Sequence, residues 1–383
     1  MNRRQLLLLL GTAAAFPAAM GCDKSKSGGE NGANPSTTTS AGATAGSAGG
    51  TGAVAMSSAA AAFNKPRKPT GPVLVKVITN GNSPFWDSMG KGLADEITAL
   101  QLSPQSGWTA PPGTDNDSQK TAFEQAMAAN ADGIAVSTID AAAFSAVINS
   151  GIAKGIPVIT FDSDSPTSER LVYIGTNNYA SGKLLGQQVV KLLPQGGNMV
   201  AFVGNMSADN AKQRYNGFLD SINGHNITML QDPYEDNADI VGKAHSNVAD
   251  AITKYGSKIN GFLGLYSYNG PAIVDEVKKA GLIGKVKICC FDGEPRTLDN
   301  LLAGLVDVTV VQKPYQFGRL SAEMLYQINR VGLDAALKLI DPELKKLGMT
   351  RNGPIIDTGV QVITPANAKP FIQDLHAKGL TST

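Results

Sequence analysis

Ile156–Asp164, "IPVITFDSD", decides the fold, because Val286–Pro295, "VKICCFDGEP", repeats its form far along the chain. Each is a short apolar run that stops at Phe-Asp, Phe161-Asp162 in one and Phe291-Asp292 in the other. Apolar runs of this length without alternation suit strands buried on both faces of a parallel sheet. In such sheets ligands sit outside the carboxyl ends of the strands. Two facing sheets would therefore aim Asp162 and Asp292 into one cleft from opposite walls. The competing reading makes each aspartate a cap for the next helix or turn.

The surrounding pattern supports two sheets. Val73 to Asn80, Gly133 to Ser137 and Pro157 to Phe161 read as strands. Between them, Phe85 to Leu100, Ala122 to Ala129 and Ala141 to Lys154 have helical spacing. The alternation resumes with strands at Asn198 to Val203, Gly261 to Leu265, Lys287 to Phe291 and Asp307 to Val311. A βαβαβ order that occurs twice implies an α/β fold of two doubly wound parallel sheets. Ser103 to Asp117 has no clear pattern, since Pro and Gly interrupt it.

The N-terminus has the form of an export signal: Arg3 and Arg4, then an uncharged run from Leu6 to Ala19 that is too short to span a membrane comfortably. Ala19-Met20-Gly21-Cys22 resembles the lipobox of bacterial lipoproteins, which implies a signal over residues 1–22 and lipidation of Cys22. The alternative is an ordinary export signal cleaved nearby. Residues 23–70 are rich in Gly, Ser, Ala and Thr, a composition that buries too little surface to order itself and reads as a tether. A short alanine-rich helix at Ser57 to Phe63 is the exception allowed.

The net charge of +1 carries no general case for nucleic acid. Cys289 and Cys290 are neighbours in one strand and point to opposite faces, as buried apolar residues rather than a disulfide. His225, His245 and His376 lie in polar contexts with no nucleophile beside them, so an enzyme is disfavoured. "DNDSQ", Asp115 to Gln119, lacks the glycine and closing glutamate of a calcium loop and reads as a polar turn. No metal and no cofactor is expected.

Six motifs then fall in order: "NSPFW" (Asn82–Trp86), "IPVITFDSD", "IGTNNYASG" (Ile174–Gly182), "RYNGF" (Arg214–Phe218), "CFDGEP" (Cys290–Pro295) and "VVQKPYQFG" (Val310–Gly318). Together they resemble the periplasmic sugar-binding proteins of type I fold, near the ribose-binding family. The resemblance covers Val73 to roughly Thr364 and implies two Rossmann-like lobes joined by a three-crossing hinge. It places the lobes at 71–176 plus 312–352 and 177–311 plus 353–383, crossing near Gly175–Asn178, Val311–Pro314 and Arg351–Pro354. It assigns ligand contacts to Phe85 and Trp86 by stacking, and to Asp162, Arg214, Asp292 and Gln312 by hydrogen bonding. Carboxylates and guanidinium suit sugar hydroxyls, and aromatic rings suit a sugar's C–H face. One of the two adjacent aromatics is expected to be plain helix core.

The chain also departs from the ribose pattern. Ser83 and Ser137 stand where ribose binders carry polar contacts such as asparagine, and Ser163-Asp164 replaces an arginine. "LYSYNGP" brings Tyr266, Tyr268 and Asn269 to the second-lobe wall. If the strand persisted, Asp164 would face the same way as Asp162 and select a different hydroxyl pattern. The rival reading makes it a turn residue before Pro166. "DPYEDNAD", Asp232 to Asp239, reads as a solvated loop, the alternative being that Tyr234 or Asn237 leans into the cleft.

The two resemblances, to sugar-binding proteins and to a lipobox, imply a monomeric, lipid-anchored solute receptor of the bacterial cell envelope or periplasm. It would bind a small sugar, deoxysugar or polyol and deliver it to the permease of an ABC importer. The alternative keeps the fold and reports the closed state to a membrane sensor kinase or chemoreceptor. A glycosidase using Asp162 with Asp164 or Asp292 is the third reading.

Overall fold

The computed structural model describes residues 54–111 and 115–383. The expected signal, Cys22 and the tether up to residue 53 lie outside them. Residues 54–70, read from composition as tether, are laid on the body instead. Ala60–Phe63 forms a 3-10 turn with Ala60 and Phe63 buried, and Arg67 donates to the Asp132 carbonyl at 3.1 Å. Apolar side chains are the reason: Phe63 and Ala60 join the first-lobe core, with Met56 and Ala59 packed against it, and give the stretch a place to dock.

The first lobe begins with β1 (Val75–Ile78), α1 (Pro84–Ala99), β2 (Gly107–Thr109), α2 (Asn116–Ala128) and β3 (Gly133–Val136). It continues with α3 (Ser145–Ala153), β4 (Val158–Phe161) and β5 (Tyr173–Gly175). The chain then crosses into α4 (Asn178–Leu192), β6 (Gly197–Val203), α5 (Asp209–Ile222), β7 (Ile227–Met229) and β8 (Tyr234–Glu235). The second lobe runs on through α6 (Lys243–Tyr255), β9 (Gly261–Gly264), α7 (Asn269–Lys279), β10 (Lys287–Phe291), α8 (Pro295–Leu302) and β11 (Val308–Val311). After a return to the first lobe come α9 (Pro314–Val331), α10 (Leu333–Lys346), β12 (Thr350–Asn352) and β13 (Ile355–Asp357). The last elements, β14 (Gln361–Ile363) and α11 (Ala368–Ala377), belong to the second lobe.

The first sheet has the order β12-β13-β5-β4-β3-β1-β2, and the second β14-β11-β10-β9-β6-β7 with β8 beside β6. Pairing is parallel except for β12 on β13 and β14 on β11. This is the two-lobe α/β architecture of type I periplasmic binding proteins. Residues of β3, β4, β9 and β11 are buried throughout, which explains why those strands read as unbroken apolar runs. Cys289 and Cys290 are buried free thiols that pack into two different clusters, one on each face of β10. The segment without clear pattern contains β2, a three-residue edge strand.

Three crossings join the lobes. The first is at Thr176 and Asn177, the second at Gln312 and Lys313. The third comes at residues 358–360, later than Arg351–Pro354, because β13 still pairs with β5 in the first sheet. A sequence reading misses this because β12 and β13 are three residues each and carry no periodicity. The crossings are tied together: Thr176 Oγ1 donates to Gln312 Oε1 at 2.9 Å, and Thr358 N to the Gly175 carbonyl at 2.8 Å. Ser382 and Thr383 add a noncovalent link. Ser88 Oγ of α1 donates to the Ser382 carbonyl at 2.7 Å, while Thr383 exchanges backbone bonds with Gly293 of the second lobe.

Candidate ligand-binding cleft

The two Phe-Asp strand ends have the same geometry. Asp162 and Asp292 both take left-handed backbone, φ 55° and 66°. Each donates its N–H to the next strand, Asp162 to the Ile174 carbonyl at 3.0 Å and Asp292 to the Val310 carbonyl at 2.8 Å. Each carbonyl in turn accepts a side-chain hydroxyl, from Tyr173 at 2.9 Å and from Thr309 at 2.7 Å. A left-handed aspartate turns its side chain out of the strand's alternation, and the bonds on both sides hold it there.

Both carboxylates line one cavity between the lobes. Ser83, Phe85, Trp86, Arg214, Tyr266 and Gln312 line it with them. Asp162 accepts from Ser137 Oγ at 2.9 Å and, across the cleft, from Asn210 Nδ2 at 3.3 Å. Asp292 accepts from Gln312 Nε2 at 2.9 Å. The lobes also touch at the rim, where Ala141 N donates to the Ser207 carbonyl at 3.4 Å. The structure is thus closed.

Arg214 is placed by helix packing. A Cβ on Gly182 of α4 would lie 2.0 Å from the Arg214 carbonyl oxygen, and one on Gly217 of α5 2.0 Å from that of Tyr179. Only glycines allow α4 and α5 to approach so closely, and that approach buries Arg214 to 1% exposure. Its Nε donates to Asn178 Oδ1 at 2.9 Å and Nη1 to the Leu265 carbonyl at 2.9 Å. The guanidinium lies over the Phe291 ring, 4.6 Å from its centroid, and Nη1 is 3.9 Å from Asp292 Oδ2. Nη2 is buried with no hydrogen-bond partner among the described residues.

Burial pushes the Asp292 carboxyl up to about 6, against the pull of the Arg214 guanidinium. It raises Asp162 as well, with Arg214, Ser137 and Asn210 acting to lower it. The closed cleft therefore holds two desolvated acceptors and one unsatisfied donor, an arrangement that favours a ligand rich in hydroxyls. Phe85 and Trp86 are both buried and both line the cavity, their rings edge to face at 4.8 Å. Both also belong to the apolar core of the first lobe, so each ring serves core and cavity wall together.

Three expected residues stand outside the lining. Ser137 lies behind Asp162 and positions it. Asn269 starts α7, accepts from Tyr266 N at 2.9 Å and donates to Asp236 Oδ2 at 3.0 Å. Asp164 is enclosed: its carboxylate accepts from Arg170 Nε at 2.7 Å, Arg170 Nη2 at 2.6 Å and Thr160 Oγ1 at 2.5 Å. The left-handed turn at Asp162 ends the strand's alternation, so Asp164 does not share its direction.

Asn210, Asn80, Ser267, Ala238 and Ile240 line the cavity without having been singled out. Asn210 was within reach of sequence reasoning, since it precedes Arg214 by one helical turn on α5. Ala238 and Ile240 carry no such signal. Tyr234 stacks on Phe202 instead of entering the cleft. Asp115 caps α2 by accepting from Asp117 N and Ser118 N. Among the described residues no group of three or more His, Cys, Asp or Glu is arranged to hold a metal.

The family described as periplasmic binding protein domain matches residues 74–332. The xylose/arabinose-binding protein XylF of Sulfolobus acidocaldarius is 27% identical over 328 residues, 80% of this chain and 74% of that one. A solute-binding protein of an ABC transporter from Burkholderia graminis, solved with D-arabinose, is 26% identical with a TM-score of 0.67 and covers 78% of this chain and 98% of its own. XylFII, solved as a XylFII–LytSN complex, is 25% identical with a TM-score of 0.64, covering 79% of this chain and 98% of its own.

Proposed function

The chain belongs to the periplasmic binding protein domain family, and from that premise we propose that it is the substrate-binding lipoprotein of an ABC importer, closing on a small sugar or related polyol and delivering it to the membrane permease. One observation carries the reading. Asp162 and Asp292 converge from opposite lobes on a cavity where Arg214 Nη2 has no partner among the described residues and Phe85 and Trp86 supply aromatic surface. The cavity has about 50 Å³, against roughly 10–15 Å³ needed for one water. That suits a single small ring rather than an oligosaccharide. The sugar-binding relatives support the same ligand class.

A thermal-shift screen of the chain against pentoses, hexoses, deoxysugars and polyols tests it. A ligand at a hundred times its dissociation constant adds about 2.7 kcal/mol. If no sugar or polyol raises the melting temperature, the reading fails.

The sensor reading has one observation in its favour, that a relative of this fold is solved in complex with a second protein, LytSN. Gene deletion separates the outputs. Lost uptake of the ligand supports the importer, whereas intact uptake with a lost transcriptional response supports the sensor.

Anchoring through Cys22 belongs to the same proposal. The mature protein is expected in the detergent phase and Cys22→Ser in the aqueous phase. Since a single acyl chain binds membranes only weakly, this requires a multiply acylated terminus. A Cys22→Ser protein that stays with the membrane removes the anchor.

A further inference from the structure

Between β8 and α6 the chain forms a loop, residues 236–242, in which Asn237 and Ala238 are consecutive left-handed residues, φ 53° and 55°. Alanine is disfavoured there by its Cβ, so the surroundings must impose the conformation. Asp236 does so. Its buried carboxylate accepts from Tyr268 OH at 2.7 Å, Asn269 Nδ2 at 3.0 Å and Ala238 N at 2.9 Å. The turn closes with Ile240 N donating to the Ala238 carbonyl at 2.9 Å.

The result is an apolar stretch of cleft wall. Ala238 and Ile240 line the cavity and pack with Tyr266 and Tyr268. Both tyrosine hydroxyls are engaged elsewhere, Tyr266 with Asn210 Oδ1 at 3.2 Å and Tyr268 with Asp236. Ser267 is the remaining hydroxyl of that group. Charged and amide groups, Asp162, Asp292, Arg214, Gln312, Asn210 and Asn80 among them, lie elsewhere in the lining, which Ser83 and the rings of Phe85 and Trp86 share. A ligand that fills this space needs one edge dense in hydroxyls and one edge of carbon.

We infer that this loop is the specificity element of the cleft, and that the site takes a pyranose with hydrogen or methyl on C5 in preference to the matching hexose. The preferred ligand is thus an aldopentose or a 6-deoxyhexose. The inference rests on the sugar-binding reading above and deepens it. A hydroxymethyl group set against Ala238 and Ile240 loses its water without gaining a partner, whereas hydrogen or methyl loses nothing there.

Calorimetry on the purified chain tests this with sugars that differ only at C5. Three series serve: D-ribose, 6-deoxy-D-allose and D-allose; D-xylose, 6-deoxy-D-glucose and D-glucose; L-arabinose, D-fucose and D-galactose. In any series that binds, the pentose or the deoxysugar is expected to bind on the order of tenfold or more tighter than the hexose. Ile240→Ser, which offers the hydroxymethyl a partner, is expected to narrow that ratio to about threefold or less. A hexose that binds the parent as tightly overturns the inference and leaves the sugar reading standing, and so does a ratio unchanged in Ile240→Ser. Binding of no sugar in any series overturns the inference, and the wider screen of sugars and polyols then decides the sugar reading separately.

Discussion

Asp164 and Arg214 each belong to a buried charge pair, and only one pair faces the cavity. The Asp164–Arg170 pair is bidentate, at 2.6 and 2.7 Å, and walled off from the cleft. Removing one partner of such a pair leaves the other buried and uncompensated. Asp164→Asn is therefore expected to destabilise the fold by about 3 kcal/mol, read from the urea midpoint, with sugar preference unchanged. A variant of parental stability and altered preference would put Asp164 back in the site. Arg214 differs, because it lines the cavity and its Nη2 has no hydrogen-bond partner among the described residues. Arg214→Ala is expected to cost binding about 2–5 kcal/mol by calorimetry, since it removes the donor and leaves Asp162 and Asp292 without the charge that offsets their burial. Unchanged affinity would place Arg214 in a purely structural role.

At the scale of elements, helix contact decides where a functional side chain stands. Gly182 touches no ligand position, yet a methyl there collides with the backbone of α5 at Arg214. Gly182→Ala is expected to cost about 1–3 kcal/mol of stability and to weaken the ligand, as α5 shifts and carries Arg214 with it. Loss of stability with full affinity in the folded protein would show that α5 tolerates the shift. The strands were legible because burial on both faces leaves continuous apolar runs, as in β4 and β10. β5, β12 and β13, three residues each, were not, since so short a strand has no period to read. The helix α10 also escaped, although its apolar residues Leu333, Ala336, Leu337, Ile340 and Leu344 have the spacing of one buried face.

Across the whole molecule, folding desolvates several carboxylates, two of which, Asp292 and Glu323, also face an arginine. Burial raises Asp209, Glu294 and Glu323 to about 7, and Asp236 and Asp292 to about 6. Each holds its proton more tightly folded than unfolded, so the native state gains protons as pH falls from 7.5 to 5.5. Stability then rises in that window, by on the order of 1 kcal/mol or more. Ligand binding has the opposite sign if Asp292 accepts from the ligand, because protonation removes an acceptor. The expected outcome is a higher melting temperature at pH 5.5 than at 7.5 for the unliganded protein, with a weaker ligand at the lower pH. A melting temperature that falls across the window would mean that these carboxylates do not govern stability there.

The resemblance to sugar-binding proteins supplied Arg214 and Gln312, which line the cavity with Asp162 and Asp292, whereas sequence pattern alone determined the two α/β halves and the paired Phe-Asp strand ends. Those properties are carried by local pattern: apolar runs mark buried strands, and strand ends in parallel sheets face one way. Tertiary structure alone decided the rest. The left-handed backbone at Asp162 turned Asp164 toward Arg170. The glycine contact between α4 and α5 set Arg214, and Asp236 bent Ala238 and Ile240 into the wall. Each of these depends on one dihedral angle or on a contact between residues distant in the chain. Periodicity records which face of an element is buried, and not what that face meets.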